Sequence, residues 1–267
     1  MSMIKLLHIS DTHFGIRDFQ KEQPRVVKAI IEAAHQHVGD IPDICVFSGD
    51  LAQQGDPNEF GMGTRWLKEL LTPWPDCFLF VVPGNHDIAR PLDENKKKQA
   101  KKFCRAAHHN EGDYEAWFKN ISEDVDLLEN FKQWHGKIRD NRQLPLISDW
   151  SQSSLGCYKP IIIQGIEIHF IGLNTALLSC DDDDKEKLVA DITFLNEALR
   201  KADPKNSLVI VIGHHPISQN KERWLVDWNH KALETLLLQA TGAHLYLHGH
   251  LHTQTGGTLS LSNVSSG

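Results

Sequence analysis

Short runs of apolar residues alternate along this chain with longer stretches in which apolar residues recur every three or four positions. The short runs are typical of buried strands, and the periodic stretches are typical of helices that cover a sheet. Strands are predicted at 4–10, 44–47, 78–82, 157–163, 166–173, 208–212 and 243–247, with a last one at 255–261. Helices are predicted at 24–38, 58–71, 185–200 and 230–239. This order is typical of an α/β fold.

Local signals mark some of the boundaries. Asn58 is a candidate N-cap for the second helix, and Gln164 with Gly165 is typical of a hairpin turn. The four aspartates at 181–184 are interpreted as a solvated loop leading into the helix at 185–200, where carboxylates suit the helix dipole. A metal site on these aspartates is a weaker alternative.

Between about residues 90 and 150 the strand pattern disappears, and the sequence predicts a helical insertion or cap within one domain of residues 1–267. The lysine-rich run from Lys96 to Lys102 is interpreted as a solvated helix face, because runs of like charge are usually exposed. The insertion also carries aromatic residues, namely Tyr114, Trp117, Phe118, Phe131, Trp134 and Trp150. We expect it to pack over or beside the functional site.

Polar blocks stand where five of the predicted strands end. These blocks are Asp11-Thr12-His13, Gly49-Asp50, Gly84-Asn85-His86-Asp87, Gly213-His214-His215-Pro216 and His248-Gly249-His250-Leu251-His252. The carboxyl ends of strands in α/β proteins meet at one edge of the sheet, which is where such proteins build binding sites. We therefore expect these side chains to converge.

Composition narrows the class of protein. The formal charge of −7 argues against a surface built mainly for nucleic acid or an anionic membrane, although a local basic groove remains compatible with it. The five cysteines are scattered and lack C-x-x-C spacing, so we interpret them as reduced packing residues. No apolar segment reaches the length of a membrane span. We expect a cytoplasmic protein without membrane contact, and the abrupt end of the chain suggests further domains beyond residue 267.

The polar blocks combine carboxylate, amide and imidazole groups and contain no cysteine. Such ligands suit first-row divalent ions, with manganese as the leading candidate and iron, zinc, cobalt or nickel as alternatives. A single catalytic zinc normally takes three protein ligands, and the blocks offer more, so two metals are predicted. Asp50 is a candidate bridging ligand, because Gly49 before it permits close approach of the backbone.

The five blocks, in this order, resemble the calcineurin-like metallophosphoesterase superfamily. The resembling motifs are D-x-H, G-D, G-N-H-D, G-H-H-P and G-H-x-H, and they extend from Asp11 to His252. Five ordered blocks are far more specific than one short motif. The resemblance implies a four-layer α/β/β/α sandwich of two mixed β-sheets. The G-H-H-P block is closest in style to class III cyclic-nucleotide phosphodiesterases.

The resemblance also implies roles for individual residues. The first metal would be held by Asp11, His13, Asp50 and His252, and the second by Asp50, Asn85, His214 and His250. A hydroxide bridging the metals would attack phosphorus in line. His86 would donate a proton to the leaving oxygen and meet the phosphoryl charge, and Asp87 would support the ligands.

Other histidines receive supporting interpretations. His248 precedes the glycine at which the family motif begins, so a supporting role is favoured over metal ligation. His215 is expected to orient the loop or the substrate. His8 is interpreted as a hydrogen-bonded core residue, and His108 and His109 as surface residues.

Three functions remain in competition at this point. The leading hypothesis is a dinuclear phosphoesterase that hydrolyses phosphodiester bonds of a small or cyclic nucleotide. The alternative is a DNA or RNA nuclease that grips a strand with the lysine-rich run and the insertion's aromatic residues. A binding or scaffold module without catalysis is disfavoured, because every expected ligand and His86 are present.

Overall fold

The computed structural model describes residues 3–38, 41–107, 118, 120–121, 126–181, 183–217, 223–239 and 242–252. Its strands are β1 (Leu6–Ile9), β2 (Ile44–Ser48), β3 (Phe78–Val82), β4 (Gly156–Ile163), β5 (Ile166–Leu173), β6 (Leu208–Ile212) and β7 (Leu245–Leu247). Its helices are α1 (Arg17–Val38), α2 (Pro57–Leu71), α3 (Glu94–Ala107), α4 (Glu129–Asp140), α5 (Ile192–Lys201) and α6 (Asp227–Leu238), with a short 3₁₀ helix at Asn85–Asp87.

The first sheet has the strand order β1-β2-β3, and both of its pairings are parallel. Every residue of β2 is buried, as expected for a parallel strand covered on both faces. Helices α1 and α2 connect these strands. The carboxyl ends of β1, β2 and β3 therefore lie side by side, and each leads directly into one of the polar blocks.

The second sheet has the order β4-β5-β6-β7 and is mixed, because β4 and β5 are antiparallel whereas the other pairings are parallel. Gln164 and Gly165 join β4 to β5 with φ of 51° and 79°. Two successive left-handed residues are typical of a tight hairpin turn. This confirms the predicted turn.

The two sheets pack face to face. The rings of Phe80 in β3 and Phe170 in β5 lie 5.4 Å apart within the core between the sheets. Alternate residues of β5 and β6, such as Ile171 and Val211, pack on the opposite face in a second apolar cluster that includes residues of α5 and α6. The predicted α/β sandwich of two sheets is thus confirmed, with the mixed character confined, among the described strands, to the second sheet.

Four predictions of helix starts or caps are wrong, including the start of α6, which lies at Asp227 and not at about residue 230. Helix α1 begins at Arg17 and contains Pro24, so the chain forgoes one backbone hydrogen bond and continues through the proline. Asp56, not Asn58, caps α2, because its carboxylate accepts the Asn58 N–H in a capping box with Glu59. Helix α5 begins at Ile192, where the Asp191 carboxylate accepts the N–H groups of Thr193 and Phe194. The aspartates at 181–184 therefore do not lead directly into it.

The predicted insertion packs in two places. Helix α3 contributes Cys104 and Ala107 to an apolar cluster with Leu177 and Leu178, whereas α4 packs against α2. Four of the six aromatic side chains noted in the insertion are buried, namely Phe118, Phe131, Trp134 and Trp150. Residues 255–261, Tyr114, Trp117, His108 and His109 lie outside the described residues.

The lysine-rich run lies on α3 and is partly neutralised by carboxylates. Lys96 pairs with Glu129 at 3.1 Å and Lys101 with Asp181 at 3.0 Å. Lys98 and Lys102 are exposed, in agreement with a solvated helix face.

All five cysteines are free thiols, and four of them are buried. This agrees with their interpretation as packing residues. Within the described ranges, none of the helices combines the length and the apolar character that a bilayer crossing requires.

Candidate metal centre

The polar blocks meet where the strands end, and backbone hydrogen bonds hold them together. The N–H groups of Asp11 and His13 donate to the carbonyls of Gly49 and Asp50, each at 3.0 Å. The N–H of His250 donates to the Asp11 carboxylate at 3.0–3.1 Å. The segments after β1, β2 and β7 are thereby tied into one edge.

The side chains predicted to hold the first metal lie close together. His13 Nε2 is 3.9 Å from Asp11 Oδ1 and 3.7 Å from Asp50 Oδ2. His252 Nε2 is 3.4 Å from Asp11 Oδ1 and 3.1 Å from His13 Nε2. The His252 side chain is 60% exposed, whereas the His13 and Asp50 side chains are buried. This half of the centre therefore opens toward solvent.

The second group is more deeply buried. His214 Nε2 lies 3.1 Å from Asp50 Oδ2 and 3.2 Å from His250 Nδ1. Asn85 is buried, and its side-chain oxygen has no hydrogen-bond partner among the described residues. Asp50 Oδ2 faces His13 and His214, the position that a bridging ligand requires.

Burial and mutual charge set the protonation of these groups. Burial raises the pKa of Asp50, but the charges of His214, His86 and His13 outweigh it and leave that pKa below the usual range. Burial lowers the pKa of His214, but the Asp50 carboxylate outweighs burial and raises it to about 9. Burial, with His214 adding to it, lowers the pKa of His250 to about 3, so that ring is neutral and can ligate a metal.

Five of the seven predicted ligands have positive φ. The values are 58° for Asp11, 44° for His13, 58° for Asp50, 74° for His250 and 50° for His252. A non-glycine residue in this region costs about 1–3 kcal/mol and persists only where the surroundings enforce it. The backbone is therefore strained at the sharp turns that direct these side chains toward one point.

Gly49 allows a close approach of three segments in the centre. Its φ is 96°, and a Cβ there would lie 2.7 Å from His214 Nδ1 and 2.8 Å from the Gly84 nitrogen. The expected close approach before Asp50 is therefore present, and it brings the blocks after β2, β3 and β6 into contact.

Asp87 supports the loop that carries Asp50. Its carboxylate accepts the N–H groups of Asp50, Ala52 and Gly84 at 2.8–2.9 Å. Burial, and to a lesser degree Asp50, raises the Asp87 pKa to about 7. Because all three donors require acceptor oxygens, the arrangement is best satisfied by the ionised carboxylate.

Replacing Asp87 with asparagine is expected to weaken metal affinity about 10–100-fold, since one carboxylate oxygen becomes an N–H₂ donor that faces backbone donors. Metal titration of the purified variant measures this. Glu59→Gln is the matched control, because the Glu59 carboxylate also accepts three backbone N–H groups, from Gln53, Gln54 and Asp56, but none from Asp50. Equal losses in both variants would contradict a specific role for Asp87.

His86 lies beside both metal groups. Its Nδ1 contacts the Gln53 carbonyl at 2.8 Å, and its backbone N–H donates to Asp50 Oδ1 at 2.8 Å. A carbonyl only accepts, so the ring carries hydrogen on Nδ1, and Nε2 is left for the centre. The ring is half-buried and packs edge-on against His13 at 4.8 Å.

The remaining predicted histidines differ from one another. His248 is half-buried and its Nδ1 contacts the Gly249 carbonyl at 3.1 Å. His215 is buried between His214 and His250. His8 hydrogen-bonds to Ser48 at 2.7 Å as predicted, but it is exposed, so its assignment to the core is wrong. It lies on β1, the edge strand of the described first sheet.

Several residues that orient the predicted ligands were not predicted from the sequence. Thr175 contacts His214 and His215, and Ser48 contacts His214 through its carbonyl. Trp224 stands with its ring 4.1 Å from that of His250. Asn174 and Thr175 follow β5, so a sixth polar strand end was visible in the sequence, but it carries no aspartate or histidine.

The residues present fit a pair of divalent metals. The Asn85 oxygen is buried without a partner among the described residues, and the clustered donors are oxygen and imidazole atoms, as such ions prefer. Ring nitrogens of His214, His215 and His250 also lie within 4.8 Å of one another, as do ligand atoms of His13, Asp50 and His86. Distance alone therefore does not separate the ligands from their neighbours.

Comparisons with known proteins are consistent with this geometry. A family model described as calcineurin-like phosphoesterase matches residues 4–254. No curated protein matches the sequence significantly. Among 24 matching solved chains is the purple acid phosphatase PPD1 from yellow lupin (Lupinus luteus) seeds, with a TM-score of 0.52 and 12% identity. The match covers 94% of this chain and 38% of the lupin chain, and at this identity it shows the fold alone.

Proposed function

We propose that this chain, which belongs to the calcineurin-like phosphoesterase family, hydrolyses phosphodiester bonds of a small or cyclic nucleotide. The family is one of dinuclear metal phosphoesterases. The observation that carries the proposal is the convergence of Asp11, His13, Asp50, His214, His250 and His252 at one edge. The preference for a nucleotide rests on the G-H-H-P block at 213–216.

Each metal would have its own set of ligands. Asp11, His13 and His252 would hold one ion, and Asn85, His214 and His250 the other, with Asp50 between them. Manganese is the proposed metal. When bound, the two ions activate the attacking water and stabilise charge on the phosphoryl group.

His86 is the proposed general acid. Its Nδ1–H is committed to the Gln53 carbonyl, so the proton for the leaving oxygen would come from Nε2 of the protonated ring. The hydrogen bond from the His86 backbone N–H to Asp50 Oδ1 holds His86 beside the proposed bridging ligand.

Both supports of the nuclease alternative are weakened. Phe118, Phe131, Trp134 and Trp150 lie in the core, where they cannot stack on nucleic acid bases, whereas Tyr114 and Trp117 lie outside the described residues. Two lysines of the basic run are paired with carboxylates. We further propose a cytoplasmic location, which the five free thiols support.

An assay with manganese-loaded protein tests the function. We expect nucleoside monophosphate release from 3′,5′-cyclic nucleotides and turnover of bis-p-nitrophenyl phosphate, with little turnover of p-nitrophenyl phosphate. Asp50→Asn protein is the matched control for contaminating activity. Turnover of the monoester alone would overturn the phosphodiesterase assignment, and turnover of single-stranded DNA alone would favour the nuclease.

A further inference from the structure

Two adjacent histidines, His214 and His215, differ in the group that contacts Nδ1, which is a carbonyl for His214 and a hydroxyl for His215. His214 Nδ1 lies 2.9 Å from the Ser48 carbonyl oxygen. A carbonyl cannot donate, so His214 carries a hydrogen on Nδ1, and Nε2, which lies 3.1 Å from Asp50 Oδ2, is the nitrogen that faces the centre. His214 is therefore prepared to bind a metal through Nε2.

Thr175 prepares His215 in the opposite way. Its hydroxyl oxygen accepts the backbone N–H groups of His214 and His215, both at 3.0 Å, and lies 3.1 Å from His215 Nδ1. A hydroxyl has two lone pairs and one hydrogen. Both lone pairs are in use, so the hydroxyl hydrogen goes to His215 Nδ1. The ring hydrogen of His215 is then on Nε2. A second hydrogen on Nδ1 would face the Thr175 oxygen, which has no free lone pair to accept it.

The Nε2–H of His215 is a buried donor without an acceptor among the described residues. The same holds for the indole N–H of Trp224, whose ring lies 6.0 Å from His215. Both rings pack against His250, at 4.5 Å and 4.1 Å. Buried donors are rarely left unpaired, so an acceptor that is not part of the described chain is expected here.

We infer that His215 donates its Nε2–H to an oxygen of the bound phosphate ester and does not ligate a metal, and that Thr175 is the positioning residue that fixes this tautomer. The identity of the anion rests on the proposed function, whereas the tautomer does not. A neutral N–H fixed in a buried place beside the second metal group would stabilise charge that develops on a phosphoryl oxygen.

Nitrogen NMR of zinc-loaded protein with ¹⁵N-labelled histidine tests the tautomer, and the His215→Phe spectrum assigns the signal. We expect the hydrogen of His215 on Nε2, loss of this pattern in Thr175→Val and its return in Thr175→Ser. Inorganic phosphate should shift the Nε2–H signal. A His215 hydrogen on Nδ1 would overturn the inference. An Nε2–H signal that phosphate does not shift would assign the acceptor to water instead.

Metal content and phosphate binding give a second test that needs no turnover. His215→Phe should keep two metals per chain and bind inorganic phosphate about tenfold more weakly, the size expected for one hydrogen bond. His215→Gln, which can place an N–H near Nε2, should recover part of the loss. His214→Phe is the contrasting variant and should lose metal. Loss of metal in His215→Phe would make His215 a ligand and refute the inference, whereas phosphate binding without ester hydrolysis would refute only the proposed function.

Discussion

Replacing Asp50 with asparagine is expected to leave the protein with less than one metal per chain after manganese reconstitution, and to abolish turnover. Asp50 is 1% exposed, and its Oδ2 lies between His13 and His214. An amide oxygen lacks the negative charge that offsets two dications, and it bridges them poorly. Asparagine keeps the size of the side chain and an acceptor for the His86 N–H, so the loss would come from the missing charge.

The matched variant is His86→Ala, which should keep both metals while kcat falls about 10²–10⁴-fold, the range for loss of a general acid. Elemental analysis and steady-state kinetics on the same samples measure both effects. Equal metal loss in the two variants would show that His86 is a ligand, in line with its position near His13 and Asp50. Full metal content in Asp50→Asn would remove Asp50 from the bridging position.

Replacing Gly84 with alanine is expected to disrupt the centre although it changes no ligand. A Cβ at Gly84 would lie 2.2 Å from Asp50 Oδ1 and 2.5 Å from the Asp50 nitrogen. The Asp50 loop would have to move, which also breaks the hydrogen bond from the Gly84 N–H to Asp87. We expect the free energy of unfolding to fall by about 1–3 kcal/mol, as for other overpacked sites, together with loss of metal.

Gly136→Ala is the control for this substitution. Gly136 lies in α4, and a Cβ there would meet nothing within 4 Å. Alanine in a helix should raise the free energy of unfolding by about 0.5–1 kcal/mol without affecting metal content. Thermal unfolding and metal analysis of both variants make the comparison. Normal metal content in Gly84→Ala would show that the loop can yield.

Several features of the fold follow from local sequence. The apolar runs at 78–82, 166–173 and 208–212 are strands with the predicted bounds. A strand that is covered on both faces of its sheet needs apolar side chains along nearly its whole length. Helix starts were less predictable. Asp56 and Asp191 cap α2 and α5 through side-chain geometry, and several neighbouring residues offer the same chemistry.

The candidate site, too, was only partly predictable from the sequence. The order of its polar blocks was visible in the sequence, because each block stands directly after a strand. Their support was not visible. Thr175 carries no chemistry that marks a site, and its hydroxyl acts only because β5 and β6 are neighbours in the second sheet.

The sequence by itself therefore determined which side chains gather at the strand ends and which family they resemble. Only the tertiary structure decided that Phe131 and Trp134 belong to the core, that Asp87 holds the Asp50 loop, and that His214 and His215 present opposite nitrogens. The physical reason is that a residue type fixes which hydrogen bonds a side chain can form, whereas the partners that use them come from distant strands. His214 and His215 are the same residue type and differ only in the partner of Nδ1, which is the Ser48 carbonyl for His214 and the Thr175 hydroxyl for His215.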